Sequence, residues 1–295
     1  MAKIIDLRFQ GNSDTIAAFL LESSEGPVLI ETGPHSTYEM LCRGLRCYGY
    51  APEDVRHVFL THIHLDHAGA AWVFAGHGAN IYLHPLGRPH LEQPEKLLES
   101  ARRIYKENMD PLWGTLRPIP AGRLQAIGHL EEVRIGDRCL RALHTPGHAV
   151  HHIAWQVGRS LFTGDAAGIC IPGNALVQPP CPPPDIDLAA WQQSIALMRQ
   201  GGFERLYLTH FGEVSEVADH LDRLERRLLD WAQWIKPFYE RGEDAASVVP
   251  QFQAFVREEL AAAGISAADM VRYEFANPSW MSVSGLMRYW RKMGS

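Results

Sequence analysis

The sequence predicts an α/β fold: two β-sheets packed face to face and covered by helices, with a helical appendage after them. Three observations predict it. Short apolar runs rich in β-branched residues alternate with segments of helical spacing over the first two hundred residues. The second half of that region repeats the style of the first, which points to two sheets rather than one. From about Val214 the strand-like runs stop and helical spacing alone continues.

Each element follows in order. "TIAAFLLES" and "PVLIETG" read as adjacent strands joined at "SSEG". "TYEMLCRGLRCYG" has helical spacing and ends at Gly49. "VRHVFLT" is the next strand, "AGAAWVFAGHG" a helix of small residues, and "NIYLHP" a strand. One helix is expected across "LEQPEKLLESARRIYKENM", and "LWGTLRPIPAGRLQ" is a Pro- and Gly-containing connector. Next come the strand-like "RCLRALHTPG", "HIAWQVG" and "SLFTGD", then a helix over "DLAAWQQSIALMRQGG" with Asp187 as its N-cap. "RLYLTHF" is the final expected strand. The helical segment that follows has apolar residues at positions 217, 221, 224, 228, 231 and 235. The expected division is therefore a catalytic domain over 1–213 and a helical region over 214–295. The aromatics of that region, Trp231, Trp234, Phe238, Tyr239, Trp280, Tyr289 and Trp290, are expected in the core or in a subunit contact.

Composition narrows the function classes. The chain has 295 residues, 46% apolar and 21% charged, with a net charge of −6, so no broad phosphate-backbone partner is indicated. The opening residues lack the apolar core of a signal peptide, and no segment approaches the ~18 apolar residues of a membrane span. The five cysteines are odd in number and show no C-x-x-C spacing; small buried apolar roles and a reducing, cytoplasmic location are expected.

"THIHLDHAGA" carries the chemistry. His62 and His64 alternate along an extended segment, so they share one side and can share one cation. Asp66 and His67 follow where strand gives way to helix, which suits a second cation. Three further candidates stand at strand ends: His148 in "HTPGH", Asp165 in "LFTGDA" and His210 in "LYLTHFG".

The ordered set "THIHLDHAG", "HTPGH", "FTGDA" and "LTHFG" resembles that of metallo-β-lactamase-fold proteins of the glyoxalase II-like branch, over roughly residues 3–213. The resemblance implies an αββα sandwich with the site at one sheet edge. It implies that His62, His64 and His148 hold one divalent ion, that Asp66, His67 and His210 hold a second, and that Asp165 bridges them. The ions would be zinc, with iron or manganese as alternatives. In this family "PVLIETGP" usually has Asp where this chain has Glu31, whose carboxylate would support the metal loop from outside. Only the second His of "HTPGH" matches a ligand, so His144 is expected to pack or to support. One of His151 and His152 can reach the rim. His57, His84, His90, His129 and His220 are expected at the surface or in structural roles.

The reading that follows is a dinuclear metallohydrolase of a small ester, thioester or lactone, with a metal-bridging hydroxide as nucleophile and Asp66 orienting it. The alternative is a one-iron persulfide dioxygenase using His62, His148 and Asp165, with a phosphodiesterase or nuclease third. The expected partners are a small-molecule substrate and a second copy of the chain, without nucleic acid or membrane. Two segments are expected to wall the site: one around Tyr105, Met109, Leu112 and Trp113, the other the Pro-rich loop after Asp165.

Overall fold

The computed structural model describes residues 1–294. The first sheet runs in the order β1 (Lys3–Asp6), β2 (Ala17–Ser23), β3 (Gly26–Ile30), β4 (His57–Phe59), β5 (Asn80–Leu83) and β6 (Leu124–Ala126). The second pairs β7 (Glu132–Ile135), β8 (Arg138–His144), β9 (Ile153–Val157), β10 (Ser160–Gly164), β11 (Arg205–Leu208) and β12 (Gly212–Val214), also in chain order across the sheet. In the first sheet β3 to β6 are parallel; in the second only β10 and β11 are.

Period-2 alternation sorts the side chains of each strand between two apolar layers. Phe19, Val28, Ile30 and Phe59 point inward and meet Leu140, Trp155, Phe162 and Tyr207 of the other sheet. Leu20, Leu29 and Val58 point outward to α1 (Tyr38–Cys47) and, beyond the short α2 (Leu65–Ala68), to α3 (Ala71–Gly76), through Leu41, Leu45 and Phe74. Where both faces of a strand are buried, as in β3 and β4, the run is largely apolar. Trp155 joins the layers a second way: its indole N–H donates to the Leu60 carbonyl across the interface, at 2.9 Å.

The single helix expected over 91–109 is instead α4 (Arg88–Glu92), α5 (Glu95–Tyr105) and α6 (Met109–Trp113). Pro94 lacks an N–H and disfavours helix in the residue before it, so the chain breaks there and restarts with Pro94 as the N-cap of α5. The strand expected to be last is also not the last, since β12 pairs antiparallel with β11 beyond it.

On the outer face of the second sheet lie α7 (Leu188–Gln200), α8 (Val217–Glu240), α9 (Ala245–Ala262), α10 (Ala267–Ala276) and α11 (Ser279–Met293). Asp187 caps α7, its carboxylate accepting from the Ala190 N–H at 3.0 Å. The apolar stripe on α8 buries Leu221, Leu224, Leu228, Trp231 and Ile235 in the same core as Leu206 and Leu208 of β11. Cys42 and Cys181 are buried, Cys139 and Cys170 are half-buried, and all five cysteines are free. Cys47 departs from expectation: it stands at the last position of α1, on the solvent side. Among the described residues, no helix is long and apolar enough to cross a membrane.

His220 ties α8 to the loop after β10, its Nε2–H donating to the Ala167 carbonyl at 2.7 Å. Burial pushes this imidazole down to about 4, against the opposing pull of the Ala167 carbonyl. An unfolded chain takes up that proton near pH 6.5 and the native one near 4, so stability falls as pH drops between the two. His220→Gln keeps an N–H donor and removes the titration. The loss of unfolding free energy between pH 7 and pH 4, measured by urea denaturation, is expected to shrink by about 3 kcal/mol.

Candidate metal centre

The seven candidate residues converge, and the strands explain why. Thr61 to His64 leave the C-terminal end of β4, and His64 is the N-cap of α2, which carries Asp66 and His67. Asp165 follows the end of β10, His210 the end of β11, and His148 sits in the turn between β8 and β9. The ends of strands from both sheets thus bring together loop tips that are more than a hundred residues apart in sequence.

Among the described residues three overlapping donor groups share this site, one of them joining His62, His67 and Asp165 between the other two. Around the first of those two, His64 Nδ1 lies 2.9 Å from His62 Nε2 and 3.0 Å from His148 Nε2. Around the second, Asp66, His67 and His210 bring their ligand atoms together. Asp165 spans both: Oδ2 is 3.3 Å from His148 Nε2, while Oδ1 is 3.1 Å from His67 Nε2 and 3.4 Å from His210 Nε2. Nitrogens bound to one tetrahedral zinc at roughly 2.0–2.1 Å stand about 3.3 Å apart, so this spacing is what shared cations require.

The outer atoms of these rings set their tautomers. His148 Nδ1 donates to the Pro180 carbonyl at 2.8 Å and His210 Nδ1 to the Thr15 carbonyl at 2.6 Å, which leaves each Nε2 lone pair facing the site. His62 Nδ1 pairs with Thr61 Oγ1 at 3.0 Å. Two buried atoms that face the second group, Asp165 Oδ1 and His67 Nε2, have no hydrogen-bond partner. Buried polar atoms are seldom left so, and a bound cation accounts for them.

Electrostatics divide the donors: the first group is held neutral, while in the second, against burial, the surrounding carboxylates push His67 and His210 toward their protonated forms. Burial first, and then the neighbouring imidazoles, hold His62 well below its ordinary value and His64 at about 3, so both are neutral electron-pair donors. Burial raises Asp66, but His67 and His210 outweigh it and leave the carboxyl at about 2. His67 is driven the other way: burial lowers it, and Asp165, Asp66 and Glu31 raise it well above the imidazole range.

Glu31 stands under the cluster, fully buried, with backbone φ of +65°, a region non-glycine residues seldom take. Its Oε1 accepts from the Thr61 N–H at 3.1 Å, and its Oε2 lies 3.4 Å from His67 Nδ1. It therefore anchors both ends of the histidine loop. Glu31→Gln is expected to weaken metal binding about 10- to 100-fold, measured by competition with a chromogenic chelator.

Sequence reasoning missed other supports. His152 Nε2 accepts from the Asp165 N–H at 3.3 Å while its Nδ1 pairs with Thr145 Oγ1 at 2.8 Å, so it fixes the bridging loop from beneath. His151, one position earlier, lines the cavity in front of the site. Gly147 is needed beside His148: at φ of +133°, a Cβ there would collide with the Trp191 backbone. His57, His84, His129 and His144 pair with nearby groups and lie outside the cluster.

A cavity of about 1080 Å³ opens onto His64, Asp66, His148, Asp165 and His210. Tyr105, Leu112 and Trp113 line it as expected, as do Pro180 and Pro182 to Pro184 of the Pro-rich loop. Met109 is instead packed in a small core with Leu65, Ala101 and Leu116. Two placements add to the expectation: His90, expected at the surface or in a structural role, also lines the cavity, and Trp280, expected in the core or in a subunit contact, faces it with Phe275 and Met281. The helical C-terminal region thus supplies the far wall.

A model of the metallo-beta-lactamase superfamily matches residues 12–210. A metallo-beta-lactamase fold-containing protein of Sulfurisphaera tokodaii is 29% identical over 178 residues, 58% of this chain and 67% of that protein. A lactamase-like protein of Penicillium aethiopicum is 30% identical over 205 residues, covering 67% of this chain and 52% of its own. An atrochrysone carboxyl ACP thioesterase of Aspergillus fumigatus is 29% identical over 177 residues, covering 58% and 44%. The chain thus spans about half the length of these fungal relatives. In fold, a metallo-beta-lactamase family protein of Thermus thermophilus matches with a TM-score of 0.70 at 20% identity, over 100% of this chain and 93% of that one, so its likeness extends through the C-terminal helices. The chain belongs to the metallo-beta-lactamase superfamily.

Proposed function

We propose that this protein is a metal-dependent hydrolase of an ester, thioester or lactone, of the glyoxalase II-like type, working with two divalent cations. The carrying observation is Asp165, whose two carboxylate oxygens face two separate donor groups. His62, His64 and His148 would hold one ion, Asp66, His67 and His210 the other, and Asp165 both. When bound, such a pair lowers the pKa of water and polarises a carbonyl oxygen.

The chain's own residues do the rest. Of the two carboxylates in the donor set, Asp66 is the more open, 24% exposed against 4% for Asp165. It is placed to accept a hydrogen bond from an incoming water and aim it at the substrate carbon. His148 and His210 are locked by the Pro180 and Thr15 carbonyls, so the donor set needs little reorganisation during the reaction. The apolar walls exclude bulk water from the acyl group. Lys96 is the one Lys or Arg among the described lining residues, which supports a substrate other than nucleic acid. The name of the A. fumigatus relative supports acyl transfer to water as the reaction.

The test loads chelated protein with zinc, manganese or iron, counts metal per chain, and assays an ester, thioester and lactone panel against His64→Ala. Two ions per chain and metal-dependent turnover are expected. One iron per chain with oxygen uptake on a persulfide, or no turnover with any metal, overturns the reading.

A further inference from the structure

We propose that the site takes a large apolar acyl group, an extended chain or a fused ring system, which lies between α5 and the α10–α11 corner. This rests on the hydrolytic reading above and specifies its substrate. A cavity of about 1080 Å³ is at the upper end of what drug-sized ligands occupy, and far beyond an acetyl or lactoyl group. Its walls are mostly apolar, with Lys96, Asp185 and Glu274 as the charged exceptions beyond the donor set. On α5 the lining residues Leu97, Ala101 and Tyr105 are spaced four apart, so they form one stripe about 12 Å long. Opposite them stands Trp280, its ring 6.0 Å from that of Tyr105.

The stripe does not end inside. Nine large apolar side chains are exposed among the described residues, and four of them, Leu86, Val150, Val271 and Phe275, line this one opening. Scattered exposed apolar residues are ordinary, whereas a cluster at a cavity mouth marks a binding surface. Val271 and Phe275 are four apart on α10 and present one face. A small acyl group would leave both wall and lip in water; a group long enough to reach from Asp66 past Trp280 to Phe275 covers them.

The experiment has a kinetic arm and a binding arm. With zinc-loaded protein, kcat/KM for p-nitrophenyl esters is expected to rise on the order of 10³-fold from butyrate to decanoate, since six methylenes are added and each contributes about fourfold when buried. Phe275→Ser, at an exposed position where folding is not at stake, is expected to cut the decanoate-to-butyrate ratio about tenfold. Trp280→Ala is expected to cut it further. In the binding arm, decanoate and 2-naphthoate are titrated into the protein by calorimetry, with a negative heat-capacity change expected for at least one and weakening by Phe275→Ser. Hydrolysis with a flat chain-length profile and no binding of either carboxylate overturns the proposal while the hydrolase reading stands. Binding sensitive to Phe275→Ser, with no ester hydrolysed under any metal, supports the apolar site and overturns the hydrolase reading instead.

Discussion

Asp165→Ala is expected to lower the proposed hydrolysis by about 10³-fold or more and to reduce metal content below the proposed two ions per chain, to one or none. The two carboxylate oxygens of Asp165 reach ligand atoms on both sides of the cluster. Its Oδ2 is within 3.3 Å of His148 Nε2 and its Oδ1 within 3.1 Å of His67 Nε2, so one substitution opens both groups together. The effect reaches stability as well. Asp165 is the first of the charges that hold His67 above its ordinary range against the cost of burial. Without it the buried imidazole loses its nearest counter-charge, and the metal-free protein is expected to lose about 3 kcal/mol. Asp165→Asn keeps the shape but not the charge, so metal content, rate and stability are all expected to fall, which assigns the stability loss to the missing charge rather than to packing. Metal quantitation, steady-state rates and urea unfolding in the presence of a chelator give the three readings. Two ions per chain at the wild-type rate in Asp165→Ala would remove this residue from the centre.

The cluster from His62 to His67 could be read from the sequence because its chemistry is dense and its period matches an extended segment turning into a helix. The strands that feed it could be read because both their faces are buried, as in β2, β3, β10 and β11, and a doubly buried strand is largely apolar. Edge strands lack that signal. β1 has four residues, and β7 reads "EVRI", its charged positions facing solvent, so neither shows a run long enough to stand out. β12 is three residues whose identity as a strand depends on pairing with β11. Supports such as His152 are invisible for another reason: what it does is set by the Asp165 N–H, a backbone atom that any sequence would offer. Trp280 shows the same limit at long range. Its spacing fits a core residue, and only the packing of α11 beside Tyr105, 175 positions earlier in the chain, turns it toward the site.

Gly285→Val is expected to destabilise the protein by about 3 kcal/mol and to disturb the site from outside it. Gly285 lies inside α11, where glycine costs about 1 kcal/mol relative to alanine. On helix propensity alone, Gly285→Ala would therefore be a stabilising change. Packing predicts the opposite sign. A Cβ at this position would overlap the Cys181 carbonyl oxygen and come within 2.9 Å of the Pro182 carbonyl carbon. Both are backbone atoms, which cannot rotate away. The same helix also holds the loop by its polar groups: Ser282 Oγ accepts from the Cys181 N–H at 3.4 Å, and Lys292 Nζ donates to the Pro184 carbonyl at 2.8 Å. That loop carries the Pro180 carbonyl that fixes the His148 ring, and Pro182 to Pro184 line the cavity. Lifting α11 off the loop therefore loosens His148 and widens the acyl site together. Gly285→Ala is expected to be less stable than wild type by urea denaturation, with a raised KM for long-chain esters and weaker metal retention. A gain of about 1 kcal/mol in that variant would show that propensity governs the position and that α11 does not press on the loop.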